Sequence, residues 1–160
     1  MTCPGNSPGK GYTEREIIAL LARRFGQAGD AVVTGIGDDA AVLRVPGDPE
    51  GFQIVTTDLL IEGIHFDRRY MSLGDIGYKA LAVNLSDIAA MGADPQAAFG
   101  CLGLPPGFSK GDADSLLDGV AEACGQSGAS LAGGDTVGAH QLVIGFTVLG
   151  ETKGLSLIHI

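Results

Sequence analysis

The sequence predicts an α+β or mixed α/β domain, and three observations carry that reading. Segments with helical apolar spacing alternate with short runs rich in Val, Ile, Phe and Thr. With 160 residues, 45% hydrophobic and 18% charged, the chain can bury one ordinary core and lacks the composition of a disordered segment. It carries 26 glycines without a collagen period or a solenoid repeat, against a usual share of about 7%. Those glycines must serve turns, close packing or backbone approach to a ligand.

Each element follows from local chemistry. Residues 1–12, crowded with Pro, Gly, Ser and Asn, read as a flexible arm. Thr13 and Glu16 have capping-box spacing, and Ile17, Leu20, Leu21 and Phe25 recur at helical intervals until Gly26 and Gly29-Asp30. This predicts a packing helix. Residues 31–34 and 40–45 read as short strands around the Gly35-Ile36-Gly37-Asp38-Asp39 turn, and 52–57 as a further strand ending in a polar cluster. From Gly74 to Met91 the apolar residues wrap much of a helix. Residues 96–104 predict a buried strand and Pro105-Pro106-Gly107 a turn. Ser109 and Asp112 start a second amphipathic helix through Leu116, Leu117, Val120 and Cys124. A short strand over 130–132 runs into Gly133-Gly134-Asp135-Thr136, and 142–149 is the last strand.

Composition also excludes. Ten Lys and Arg against 19 Asp and Glu set a net charge of −9, which argues against electrostatic binding to nucleic acid or an anionic membrane. Polar residues interrupt every apolar run well short of the roughly 18 residues a membrane helix needs, and the N-terminus has no secretory apolar segment. A cytoplasmic protein is expected. Cys3, Cys101 and Cys124 form no CxxC pair, so reduced thiols are expected rather than disulfides or zinc.

The chemistry-bearing feature is a set of acids placed beside Gly or Thr at the ends of apolar elements: Asp38-Asp39, Thr56-Thr57-Asp58, Asp87 and Gly134-Asp135. Carboxylate, hydroxyl and carbonyl oxygens are the donors hard divalent cations prefer, and Mg²⁺ commonly takes one or two carboxylates while phosphates and water complete its shell. Several such groups suggest more than one Mg²⁺, with glycines allowing backbone to approach a polyphosphate. Singly, each has a plainer reading as a turn cap, a strand residue or a tight loop. Asp87 does not, because it sits between Leu85 and Ile88 in an apolar helix, where a buried unpaired carboxylate is costly. His65 and Lys79 are weaker candidates for a substrate phosphate. Walker and dinucleotide glycine patterns are both missing.

Four ordered segments resemble a known family: residues 35–43, residues 56–66, residues 78–93 with their Asn84-Leu85-Ser86-Asp87 core, and Gly133-Gly134-Asp135-Thr136. Together, over about residues 13–150, they are similar to thiamine-monophosphate kinase, of the aminoimidazole-ribonucleotide-synthetase-like superfamily. The resemblance implies Mg²⁺-dependent transfer of the ATP γ-phosphate to thiamine monophosphate, forming thiamine diphosphate by direct attack of the substrate's phosphate oxygen. It implies Mg²⁺ ligation by Asp39, Thr56, Thr57, Asp58, Asp87 and Asp135, nucleotide contact at Gly134 and Asp135, and thiamine phosphate contact at His65. No general base is assigned, since a phosphate nucleophile is already anionic.

The same resemblance implies a sheet that pairs with its twin in a homodimer and a C-terminal α/β domain closing over the site. Residues 13–154 are therefore expected to be the Mg-ATP-binding N-terminal domain, with the family's C-terminal domain absent. Residues 155–160 do not match the family's continuation and read as a foreign tail on a truncated frame. Two other readings stay open: another ATP-dependent synthetase of the superfamily, or a non-catalytic Mg-nucleotide-binding or dimerisation module.

Overall fold

In the computed structural model, which describes residues 13–26 and 29–153, the described elements run α1 (Glu14–Phe25), β1 (Val32–Thr34), β2 (Ala41–Val45), β3 (Asp48–Ile61), α2 (Leu73–Ala90), β4 (Asp94–Leu104), α3 (Lys110–Ser127), β5 (Ser130–Gly138) and β6 (Val143–Lys153). The strands form one six-stranded sheet in the order β1-β2-β3-β6-β4-β5. All neighbours are antiparallel except β4 and β5, which α3 joins by a crossover as parallel pairing requires. The mixed α/β class read from the sequence is the class observed. The expected arm over 1–12 and tail over 155–160 lie outside the described residues.

Helix ends follow their caps. The Thr13 hydroxyl accepts from Glu16 N–H and the Glu16 carboxylate accepts from Thr13 N–H, which starts α1 where the spacing predicts. Ser109 and Asp112 do the same for α3, and Gly128, at φ 80°, ends it in the left-handed conformation. Ser72 caps α2 by accepting from Asp75 N–H.

One face of the sheet is covered. Ile54, Ile144, Phe146, Val148 and Ala98 point into a core completed by Ile76, Ala80, Leu81 and Ile88 of α2 and Leu116, Val120 and Ala123 of α3. The two helices approach closely at glycines. A Cβ on Gly119 would lie 2.7 Å from the Gly74 carbonyl carbon and 2.9 Å from Tyr78 N, and one on Gly77 would strike the Leu116 carbonyl. On the opposite face, Leu59, Phe99, Cys101 and Val137 are exposed.

Three expectations need correction. α1 buries none of its residues, so its apolar stripe is not a packing stripe among the described residues. β4 is not buried throughout but alternates, because only one face of the sheet is covered. The strand expected over 130–132 runs on through Gly133-Gly134-Asp135-Thr136 to Gly138 as β5, an edge strand exposed along its length.

Candidate functional site

The central strand β3 sorts its polar cluster by pleat, since successive side chains point to opposite faces. Thr56 shares the covered face with Ile54 and Leu60 and is buried. Its hydroxyl donates to Asp87 Oδ2 of α2 at 2.8 Å, and the Asp39 carbonyl lies 3.4 Å away. Asp58, two residues on, looks to the same side. Its carboxyl is held above the usual aspartate range by partial burial first and by the Asp87 carboxylate second, with His65 opposing. Two carboxylates thus share one neighbourhood with a hydroxyl and a main-chain carbonyl. Asp87 is half-buried, and its sequence-derived need for a partner is met in part by Thr56.

Thr57 falls on the other face. Its hydroxyl meets the Phe146 carbonyl at 3.1 Å and Thr147 Oγ1 at 2.8 Å, so the side chain is turned away from Asp58 and Asp87. Asp135 is distant as well: β6 and β4 separate β5 from β3, which puts it about 14 Å across the sheet. The register sets Asp135 beside Cys101 and Gly134 beside Gly100. Gly134 has φ 153°, and a Cβ there would strike the Gly100 carbonyl, which is why this position takes glycine. Gly134 and Asp135 border a cleft of about 320 Å³ between α3 and the β4–β5 edge, walled by Leu117, Val120, Leu131 and Phe146.

His65 lies in the turn after β3. Its Nδ1 accepts from Ile61 N–H at 3.0 Å, so in the neutral ring Nε2 carries the proton and is left as a donor. Lys79 donates one of its three N–H groups to the His65 carbonyl at 2.8 Å and braces the turn against α2. Glu62 ties the same turn down, pairing with Arg68 at 2.6 Å and accepting from Leu142 N–H at 3.1 Å.

The donor chemistry fits a hard divalent cation. The Thr56 hydroxyl meets Asp87, Asp58 shares its neighbourhood, and the two carboxylates are matched by no lysine or arginine ion pair among the described residues. No three His, Cys, Asp or Glu side chains of the described residues gather at metal-ligand spacing. Sequence reasoning passed over Asn84, which is completely buried in α2 with its Oδ1 unpaired. The signal was present: a polar residue among Ala80, Leu81 and Ile88 in a helix otherwise apolar on that side.

Comparison with known proteins identifies the family. The model of the family AIR synthase related protein, N-terminal domain, matches residues 37–152. A thiamine-monophosphate kinase of Rhodopirellula baltica is 40% identical over 88% of this chain and 46% of its own length. One of Bacillus subtilis is 42% identical over 77% of this chain and 38% of its own. The chain thus spans less than half the length of these curated relatives. A solved structure described as AaThiL complexed with AMPPCP and TMP superposes with TM-score 0.77 at 29% identity, over 88% of this chain and 42% of that one. No helix among the described residues is long and apolar enough to cross a membrane. A sheet with one covered face, oxygen donors at its centre and a family model matched across β2 to β6 lead to one assignment: the chain belongs to the AIR synthase related protein family, through its N-terminal domain.

Proposed function

We propose that this domain binds Mg-ATP and thiamine monophosphate and serves as the N-terminal half of a thiamine-monophosphate kinase. The observation that carries the reading is the Thr56–Asp87 contact beside Asp58, an oxygen cluster centred on β3 and α2. It is supported by relatives named for that activity and by a solved relative described with an ATP analogue and TMP. In the reaction, an oxygen of the acceptor phosphate bonds to the γ-phosphorus of ATP as the bond to the β-phosphate oxygen breaks, leaving ADP and thiamine diphosphate. Mg²⁺, more than one ion, supplies charge neutralisation when bound.

The chain's own residues hold and orient. Asp58, Asp87, Thr56 and the Asp39 carbonyl provide oxygens on the covered side of β3. Asp135 and Gly134 serve the nucleotide at the β5 edge, where the apolar wall of the cleft suits a base. A contribution of Asp135 to the same cation cluster needs a polyphosphate to span the strands between, and a contribution of Thr57 has to come from its main chain. His65 donates from Nε2 to the acceptor phosphate. The exposed apolar face bearing Leu59, Phe99 and Val137 takes a second copy, making a homodimer. A cytoplasmic setting is in keeping with the free Cys101 and Cys124.

Titration calorimetry of ATP into this chain, with Mg²⁺ and then with EDTA, tests the reading. Saturable binding that needs Mg²⁺ and falls at least tenfold in Asp87→Asn, but not in Asp114→Asn on the exposed side of α3, is the expected result. Equal effects of the two substitutions overturn the site assignment.

A further inference from the structure

Asn84 presents a polar group with no use in the fold. Its side chain is fully buried; Nδ2 donates to the Ala80 carbonyl one turn back, and Oδ1 has no partner. An amide flip does not resolve this, because the atom facing the Ala80 carbonyl must be the donor. An orphaned buried carbonyl costs about 1–3 kcal/mol, and a leucine of nearly the same size would avoid the cost at this position. Asn84 stands three residues before Asp87, so the two lie on one face of α2, a turn apart.

The neighbourhood is short of donors. Asp58, Asp87 and the Asp39 carbonyl accept only, and the single hydroxyl proton of Thr56 is directed to Asp87. A cation-bound water has the complementary character, since its lone pair is on the metal and both its protons are free to donate.

We propose that Asn84 is a positioning residue for the cation held at Asp58 and Asp87: Oδ1 accepts a proton from a water bound to that cation and fixes the water between α2 and the sheet. This rests on the metal reading above and extends it to a residue that ligates no metal itself. The amide then works from one turn along the helix, orienting the hydrated ion without adding a third negative charge.

The test uses Mn²⁺ alone, with no nucleotide, followed by calorimetry and by the paramagnetic signal of free Mn²⁺. Thermal melts in EDTA run beside it. Asn84→Leu should melt in EDTA at the parent's temperature or above it, because it removes a buried unpaired acceptor, yet bind Mn²⁺ about tenfold more weakly. Asn84→Asp, which keeps an acceptor at the same place, should bind within threefold of the parent or more tightly. If the leucine variant fails to fold, Asn84→Ala replaces it with the same expected loss. Parent-like Mn²⁺ affinity in the apolar variant overturns the role of Asn84 while leaving the metal site standing. Absence of Mn²⁺ binding by the parent overturns the metal reading and the role of Asn84 together.

Discussion

Replacing Gly119 by Ala adds a single methyl group to α3, and helix propensity alone favours the change by about 0.8–1.0 kcal/mol. The tertiary structure reverses the sign. The new Cβ would sit 2.7 Å from the Gly74 carbonyl carbon and 2.9 Å from Tyr78 N, where ordinary contact begins at 3.4 Å. Both opposing atoms are main chain of α2 and the Gly74 carbonyl oxygen is nearer still, so no rotamer change relieves the overlap and the helices must part. Overpacking of this kind costs about 1–3 kcal/mol, and a radial gap of about 0.5–1 Å forfeits a quarter to a half of each dispersion contact across the interface. Taking the upper end of that cost against the propensity gain leaves a net loss of about 2 kcal/mol. In urea, with m of about 2 kcal/mol/M, the midpoint should fall by about 1 M at unchanged m. Gly125→Ala is the matched control, because it lies on the same helix with open space around its Cβ. It should gain about 0.5–1 kcal/mol. Equal stabilisation by both substitutions would refute the close helix approach, and with it the seating of the helix that carries Asp87.

Two other outcomes follow from the site and the open face. Asp58 has its carboxyl raised by burial and by Asp87, so ionising it costs stability above the raised pKa, and the cost disappears as pH falls below the ordinary aspartate value. In EDTA at pH 7, Asp58→Asn should therefore raise the urea midpoint, with the gain shrinking on acidification, and saturating Mg²⁺ should reverse the order; a gain that persists at low pH contradicts the electrostatic cause. Leu59→Lys, on the exposed sheet face, should convert a dimer to a folded monomer in sedimentation velocity, whereas an unchanged dimer places the interface elsewhere.

Much of the fold was legible because its signals are local. The Thr13/Glu16 and Ser109/Asp112 spacings located two helix starts to the residue, and Gly26 marked the end of the first. The strands read over 40–45 and 142–149 were visible in their β-branched content, and the structure gives them as 41–45 and 143–153. Burial was harder to read. The apolar stripe of α1 has the spacing of a packing helix, yet nothing among the described residues covers it. The glycine-rich Gly133-Gly134 stretch has the composition of a loop, and is held extended by parallel pairing with β4, a contact 34 residues away in sequence.

The acids at 39, 58 and 87, their threonine and glycine neighbours and the family they belong to were determined by the sequence alone, because residue identity and spacing carry that information. Which of them meet was decided only by tertiary structure. Pairing β3 against β6 set Thr56 and Thr57 on opposite faces, although the two are adjacent and alike in chemistry. Seating α2 on that sheet turned Asp87 to Thr56 and buried Asn84 with its Oδ1 unpaired, while the strand order left two strands between Asp135 and β3. A one-residue step reverses a strand's faces, and strand order is free of chain order, so neither outcome is written in local spacing.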